Sequence, residues 1–300
     1  MTPDFTLHKC MTPAALFLCL LLSSCWLSPG TEEKKPPVSS TPAAITAPAK
    51  TQKENIIFEE PANVQVEDTE KHPPDRIAAD SGQLPRVAII IDDMGYHPKI
   101  GHGLLNLELN LSFAFLPHSP FAAELTEIAF QKKRDILVHI PMEALGKQWD
   151  PGPGALYLDT PANRKIEILQ EDIAEIPHAI GANNHMGSKL TANRQAMHQV
   201  LTELKKEDLF FIDSFTTARS TGMDEAQKIG VKTNRRHVFL DNVQDSNKIC
   251  SQLDKLIKKA KKKQQAIAIG HPYGSTLEAL KKCGEKLEQV KVVPVHELIK

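Results

Sequence analysis

Acidic, imidazole and amide side chains recur where short apolar segments of this 300-residue chain end. They stand at Asp92-Asp93, His139, Glu143, Asn183-Asn184-His185, Asp213-Ser214, Asp241-Asn242 and His271. Two adjacent carboxylates with two or more histidines favour a divalent-metal site of mixed oxygen and nitrogen ligands. Three protein ligands and one open position would make that site hydrolytic, because the metal lowers the pKa of bound water to roughly 7. A second carboxylate would then take the proton from the water, and a histidine opposite would protonate the leaving group or steady the oxyanion.

The apolar segments that precede these residues are near-continuous rather than alternating, which is typical of β-strands buried on both faces. The predicted strands are Arg86–Asp92, Leu111–Leu116, Ile136–Ile140, Ala179–Asn183, Leu209–Asp213, His237–Asp241, Ala266–Gly270 and Lys291–Val295. Amphipathic helical segments separate them, with predicted N-terminal caps at Thr160, Thr191, Ser220 and Ser246.

Regular alternation of strands and helices predicts an α/β fold with a parallel sheet. We predict a distorted (β/α) barrel of seven to eight parallel strands, with an open doubly wound sheet as the alternative. The carboxyl ends of parallel strands lie on one face of such a barrel, so the polar residues listed above would meet at one rim. No GxGxxG or GxxxxGK[ST] loop follows the first strand, which argues against nucleotide binding.

Composition excludes several classes of function. The 36 Lys and Arg residues balance 37 Asp and Glu residues, which argues against a duplex nucleic-acid partner. Aromatic residues make up only 5% of the chain, too few for a single-strand stacking platform. Outside residues 1–25 no apolar run is long enough to span a bilayer, so a multi-span membrane protein is excluded.

Residues 1–25 predict a lipoprotein-type signal peptide. The apolar stretch Ala14 to Leu22 leads into Ser23-Ser24-Cys25, which resembles the lipobox of bacterial lipoproteins. That resemblance implies that Cys25 carries a lipid anchor and becomes the first mature residue. A plain secretory signal and a single uncleaved anchor are the alternatives.

Residues 26–84 are rich in proline and nearly lack apolar periodicity, which predicts a disordered tether. Residues 85–300 would then form the folded domain, held away from a membrane in the cell envelope or periplasm. Two cysteines of this domain, Cys250 and Cys283, fall in predicted helices. A disulfide between them and two separate buried thiols are both compatible with the sequence.

Five segments, taken together and in this order, resemble the divergent polysaccharide deacetylase family: RVAIIIDDMG, ILVHIPME, IGANNHMGS, FFIDS and AIAIGHP. The resemblance extends from about Arg86 to Lys300. It implies a distorted (β/α) barrel, a location in the cell envelope and an envelope polysaccharide, such as a peptidoglycan-like glycan, as substrate or ligand. It also implies a divalent metal, with zinc as the expected ion.

The resemblance also implies roles for individual residues. Asp92 would be the general base, His271 the acid or oxyanion partner, and Asp213 the residue that orients His271. The metal ligands would be Asp93, His139 and His185. The substrate-binding residues would be Asn183, Asn184, Ser188 and Glu143.

Two features depart from the better-known deacetylases. Those enzymes place two metal histidines as H-x-x-x-H, whereas here Glu143 occupies the second place after His139. His185, from a different predicted strand, is therefore assigned as the second imidazole ligand. Their R-x-P-x-G motif is absent as well.

These observations predict a metal-dependent hydrolase that removes N-acetyl groups from the amino sugars of an envelope polysaccharide, cleaving an amide C–N bond. Two alternatives stay open. One is a non-catalytic module that binds a glycan or a cell-wall partner on the same fold. The other is a hydrolase of a different ester, amide or phosphate.

Overall fold

A computed structural model describes residues 83–300 of the chain. The predicted signal peptide, the lipid site Cys25 and the tether as far as residue 82 lie outside the described residues. Among residues 83–300, no helix combines the length and the apolar character that crossing a membrane requires.

The described part is an alternation of strands and helices. The strands are β1 (Arg86–Met94), β2 (Ser112–Phe115), β3 (Ile136–Met142), β4 (Gly181–Met186), β5 (Phe210–Asp213), β6 (Thr233–Arg235), β7 (Val238–Phe239), β8 (Gln265–Gly270) and β9 (Lys291–Val292). The α-helices are α1 (Pro98–Leu105), α2 (Ala122–Gln131), α3 (Ala162–Ala174), α4 (Arg194–Lys206), α5 (Gly222–Ile229), α6 (Ser246–Lys263) and α7 (Gly274–Cys283). Two short 3-10 helices, Gly284–Gln289 and Val295–Leu298, flank β9.

The strands form one parallel sheet in the order β6-β5-β4-β3-β2-β1-β8-β7, with β9 paired to the start of β1. Strands β6 and β7 lie at opposite edges of this sheet, yet β6 ends at Arg235 and β7 begins at Val238. Because only two residues join the edges, the sheet must curl until they approach each other. The predicted distorted (β/α) barrel is therefore confirmed, with a seam between β6 and β7.

Alternation along the strands divides the apolar side chains into two sets. In β1, Val87, Ile89 and Ile91 pack with the helices, whereas Ala88 and Ile90 belong to a smaller cluster inside the barrel. Leu137 of β3, Ile212 of β5 and Ile269 of β8 join that inner cluster, and Val295 and Leu298 join it from the second 3-10 helix. The inner cluster fills the barrel below the carboxyl ends of the strands.

The same alternation decides which polar residues reach the interior. Asp92 lies two residues after Ile90, and His139 lies two residues after Leu137, so both continue the inward-facing rows. His271 follows Ile269 in the same way. Asp213 has the opposite parity, because it follows Phe211, which packs with the helices.

Some predicted boundaries move by a few residues. Helix α4 starts after Asn193 rather than Thr191, because the Asn193 side chain accepts a hydrogen bond from the Ala196 amide. Asp245, and not Ser246, caps α6 in the same way, by accepting from the Lys248 amide. The predicted last strand shortens to Lys291–Val292 because the chain turns into the 3-10 helix at Val295.

Gly95 fixes the turn that follows the two aspartates of β1. Its φ of 121° lies in a region that favours glycine, and a Cβ atom there would stand 1.8 Å from the Ser119 hydroxyl oxygen. The close approach joins the end of β1 to the loop after β2. This requirement explains why glycine follows the Asp-Asp-Met sequence.

Cys250 of α6 and Cys283 at the end of α7 form a disulfide, with their Cα atoms 5.9 Å apart. The structure thus decides between the two readings that the sequence left open. The bond joins neighbouring helices that are separated by 33 residues along the chain.

We expect the disulfide to stabilise the domain mainly by restricting the unfolded chain. Replacing both cysteines by serine should lower the free energy of unfolding by about 4 kcal/mol in the loop-entropy treatment. Urea unfolding followed by circular dichroism measures the change. A reductant should destabilise the native protein and leave the double variant unaffected; equal effects on the two would contradict the bond.

Candidate active site

Three predicted metal ligands meet at the carboxyl end of the barrel. Asp93 ends β1, His139 lies in β3 and His185 lies in β4, and all three are buried. Oδ1 of Asp93 lies 3.0 Å from Nε2 of His139 and 2.9 Å from Nδ1 of His185. One ligand atom from each residue falls within 4.8 Å of the other two, a spacing that could hold a metal ion.

The carboxylate of Asp93 lacks the partners that a buried charge needs. It is fully buried, and neither oxygen accepts a well-formed hydrogen bond from residues 83–300. Burial opposes its ionisation, but His185 and His139 outweigh that effect and hold the pKa of Asp93 well below its usual range. An ionised carboxylate that two ring nitrogens face without good hydrogen-bond geometry fits a cation ligand.

The backbone of Asp93 carries strain as well. Its φ is 53°, in the left-handed region that aspartate visits more readily than most residues. Such a conformation costs on the order of 1–3 kcal/mol and is commonly found at functional sites. The strained residue is thus also the residue whose carboxylate faces both imidazoles.

Asn183 fixes the orientation of His139. The two residues are register partners on β3 and β4, and Oδ1 of Asn183 accepts a hydrogen bond from Nδ1 of His139 at 2.7 Å. The amide orientation is set at its other end, because Nδ2 of Asn183 donates to Asp92 at 2.8 Å. With the proton on Nδ1, the lone pair of neutral His139 is on Nε2, the atom that faces Asp93.

Asp92 lies in the cavity beside this group. Burial raises its pKa, while the positive charges of His139 and His271 lower it by less. Its Oδ2 lies 3.7 Å from Nε2 of His139. A buried carboxylate with a raised pKa suits a proton acceptor.

His271, which follows β8, forms the other wall of the cavity together with Asp241. Nδ1 of His271 donates to Oδ1 of Asp241 at 2.8 Å, and the other oxygen of Asp241 accepts from the His271 amide and from Thr276, each at 2.6 Å. Burial disfavours the imidazolium, but the charge of Asp241 outweighs it and raises the pKa of His271 to about 9. The charge of Asp241 therefore favours the protonated ring, which is the state that a general acid requires.

The residues of this cavity lie within a segment that matches a known protein family. The model of the divergent polysaccharide deacetylases matches residues 89–299, which include every residue of the cavity. The chain belongs to this family. The sequence resemblance is thereby confirmed, and the match covers the whole barrel.

Two curated proteins and a solved structure are also similar to this chain. The uncharacterized protein YibQ of Escherichia coli (strain K12) is 36% identical over 195 residues, which cover 65% of this chain and 61% of that protein. An uncharacterized protein of Haemophilus influenzae is 36% identical over 197 residues, covering 65% and 69%. The chain thus spans about three fifths of the length of the E. coli relative. The crystal structure of an uncharacterized protein from Agrobacterium tumefaciens C58 has the same fold, with a TM-score of 0.69 and 24% identity over 74% of this chain and 92% of that one.

In this family member, Asp213 does not orient His271, so that expectation from the sequence is wrong. Asp213 faces away from the barrel interior and accepts hydrogen bonds from the Ser220 hydroxyl and from the amides of Phe215 and Met223. Its carboxylate organises the loop that leads into α5. Asp241, which follows β7, contacts Nδ1 of His271 and so holds the ring, as was expected of Asp213.

The four residues predicted to bind substrate are engaged mainly inside the protein. Glu143 accepts from Lys189 and from the Leu158 amide, and the Ser188 hydroxyl accepts from the Leu145 amide. These contacts hold the loop after β3 against the loop after β4, and substrate binding by Glu143 and Ser188 stays a prediction.

The two asparagines of that set support the cavity. Asn183 joins His139 to Asp92, as described above. Asn184 lines the cavity, but its amide donates to the Met186 carbonyl and accepts from the Ser214 amide. Both side chains therefore hold the site in shape, and neither amide is available in full to a substrate.

Arg236 is a cavity residue that sequence reasoning missed. It lies in the two-residue connection between β6 and β7 and lines the cavity with Asp92 and His271. Burial lowers its pKa to about 10, so it remains charged. The only sequence signal was a pair of arginines at 235–236 within a polar stretch, which resembles an ordinary loop.

The ligand set predicts a graded response of metal affinity to substitution. Asp93→Asn or His185→Ala should abolish binding of one zinc ion per chain. Asn183→Leu removes no ligand but releases the His139 ring, so it should weaken zinc binding roughly 10–100-fold. Competition with a chromogenic chelator measures each affinity. Asp254→Asn, on the exposed face of α6, serves as the control, and unchanged zinc affinity in Asp93→Asn would contradict the assignment.

Proposed function

We propose that this protein is a metal-dependent hydrolase that removes N-acetyl groups from the amino sugars of an envelope polysaccharide. One observation carries the proposal: a three-residue ligand group, a buried carboxylate and a histidine paired with Asp241 face a single cavity at the carboxyl end of the barrel. Membership of the divergent polysaccharide deacetylases supports the choice of substrate. These groups are the parts that hydrolysis of an amide requires.

Asp93, His139 and His185 would hold the metal, and their mixed oxygen and nitrogen donors suit zinc. A divalent cation bound there would lower the pKa of water to roughly 7 and polarise the acetyl carbonyl. The chain contributes a preorganised arrangement, because Asn183 and the strand register fix the His139 ring before any ligand arrives.

Asp92 acts as the general base. It takes one proton from the attacking water as the water oxygen forms a bond to the carbonyl carbon. The hydrogen bond from Asn183 occupies only one oxygen of Asp92 and leaves the second for this proton. Asp92 and Asp93 are adjacent at the end of β1, and the two functions are divided between them: Asp92 accepts the proton and Asp93 would bind the metal.

His271 acts as the general acid. The amide C–N bond breaks with its electron pair passing to nitrogen, and His271 delivers the proton that the leaving amine needs. Asp241 holds Nδ1 of the ring, so the proton is delivered from Nε2. The products are acetate and a free amino sugar, and Asp92 returns its proton to solvent or to His271 for the next turnover.

We also propose an exported, envelope location, with a lipid at Cys25 and the tether of residues 26–84 between the anchor and the barrel. The Cys250–Cys283 disulfide supports export, because such bonds persist in oxidising compartments and are rare in the cytosol of most organisms. A membrane-held enzyme of this kind would meet its polymer at the cell surface.

The general base can be tested apart from metal binding. Asp92→Asn should reduce acetate release from N-acetylglucosamine oligosaccharides by about 10²–10⁴-fold, because the water loses its proton acceptor. The zinc content of the variant should stay near one ion per chain. An enzymatic acetate assay on the full chain measures the rate, with Asp254→Asn as control. Glycan binding by the native protein without any acetate release would instead favour the non-catalytic module.

A general-acid role for His271 predicts a specific pH dependence of kcat/KM. His271 must be protonated, so kcat/KM should fall as pH rises through the pKa of His271, near 9. Asp241→Asn removes the charge that stabilises the imidazolium, which lowers the pKa of His271 and moves this falling limb to lower pH. pH–rate profiles of the two proteins measure the shift. Asp213→Asn should leave the limb in place, and a matching shift in that variant would contradict the pairing of His271 with Asp241.

A further inference from the structure

Arg236 is a cation of the cavity that the proposed reaction does not use. Its Nε donates to the Ser214 carbonyl at 2.7 Å and its Nη2 to the Phe215 carbonyl at 2.9 Å. Its guanidinium carbon lies 5.1 Å from the centre of the Phe239 ring. Within residues 83–300 these are the hydrogen bonds of its side chain, and both acceptors are neutral carbonyls, so Nη1 has no hydrogen-bond partner there.

Its contacts hold the guanidinium in one place. Two fixed donors and an aromatic face leave the planar group little freedom to turn, and the side chain is only partly buried because it borders the cavity. A rigid guanidinium with an unused donor is the arrangement that recognises carboxylates in proteins. Such a group loses less entropy on binding than a mobile lysine would.

The position of Arg236 places it across the barrel from the metal ligands. The ligand group comes from β1, β3 and β4, whereas Arg236 joins β6 to β7, on the far side of the ring of strands. Asp92 and His271, on β1 and after β8, stand between them. A substrate whose acetamide lies at Asp92 and His271 would therefore present a different substituent to Arg236.

The charges of the cavity favour an anion of single charge at that place. Asp92, Asp93 and Asp241 are buried carboxylates, and His271 and Arg236 are the facing cations. The charges of Asp213 and Asp92 act on Arg236, yet neither carboxylate accepts a hydrogen bond from its guanidinium, so the cation keeps a donor for a ligand. The nearby Asp92 would repel a doubly charged anion such as phosphate more strongly than a single carboxylate.

We propose that Arg236 is a specificity-determining residue that binds a carboxylate of the substrate, so that the preferred substrate is an acidic N-acetylated glycan. The inference rests on the proposed function for the orientation of the acetamide. It does not rest on it for the anion site itself, because binding of a carboxylate requires no turnover.

The test compares three glycans that differ in one group. They are an N-acetylglucosamine tetrasaccharide, its counterpart oxidised at C6 to the carboxylate, and the amide of that acid, which has nearly the same shape without the charge. Calorimetric titration of the zinc-loaded full chain should show the carboxylate binding about ten- to hundredfold more tightly than the other two, the range expected for one charge-assisted hydrogen bond. Raising the salt concentration should reduce the preference.

Substitution assigns the preference to one residue. Arg236→Gln should bring the three affinities to within about twofold of each other. Arg235→Gln is the matched control, because this neighbouring arginine lies over the Phe215 ring at 4.6 Å and does not line the cavity, so the preference should persist. If Arg236→Gln does not fold, the comparison of carboxylate with amide in the native protein still decides.

Equal affinities in the native protein, or a preference that survives Arg236→Gln, would overturn the inference. Acetate release without any preference for the carboxylate would refute the anion site and leave the proposed function standing. A carboxylate preference without acetate release would support the anion site and refute the proposed deacetylation. Failure of all three glycans to bind would refute both.

Discussion

The carboxylate of Asp93 imposes the central constraint on this structure. It is fully buried, it accepts no well-formed hydrogen bond from residues 83–300, and two imidazole nitrogens lie within 3.0 Å of one of its oxygens. Burying a carboxylate without hydrogen-bond donors costs several kcal/mol unless nearby positive charge compensates it. Such a group persists in a fold only where the surrounding structure holds it or where a ligand compensates it. The left-handed backbone of Asp93 and the close packing at Gly95 show that the chain also holds it by local geometry.

The barrel builds the rest of the site through the alternation of its strands. In β1, β3 and β8 the inward-facing row consists of apolar residues of the inner cluster and is followed, two residues further, by a polar residue at the rim. Ile90 is followed by Asp92, Leu137 by His139 and Ile269 by His271. The apolar cluster thereby packs beneath the polar groups. Register pairing of β3 with β4 brings Asn183 beside His139. Catalytic groups mounted on strands in this way are positioned more accurately than groups on loops.

The sequence predicted the barrel and the meeting of its polar strand ends because both depend on local signals, whereas the set Asp93, His139 and His185 came from the family resemblance. Buried strands appear as apolar runs, and the polar residues that end them must share one face of a parallel sheet. The prediction failed for Asp213 because one residue decides which side of a strand a side chain takes, and Asp213 is out of phase with the inner row of β5. Strand β6 was missed since Thr233–Arg235 lacks an apolar run, and Arg236 was missed with it. Partners such as Asp241 and His271, which lie 30 residues apart, can be matched only in three dimensions.

The cost of this site explains how the remainder of the domain is built. Several buried carboxylates, a histidine cation and a strained aspartate all oppose folding of the metal-free chain. The opposing contribution comes from two apolar clusters that continue through the long strands, and from a disulfide between α6 and α7. A cation at Asp93 would add its binding free energy to that of folding, since the unfolded chain does not assemble the three ligands. Stability in this barrel is therefore concentrated in its walls and helices, which leaves the rim free to hold the charges that chemistry requires.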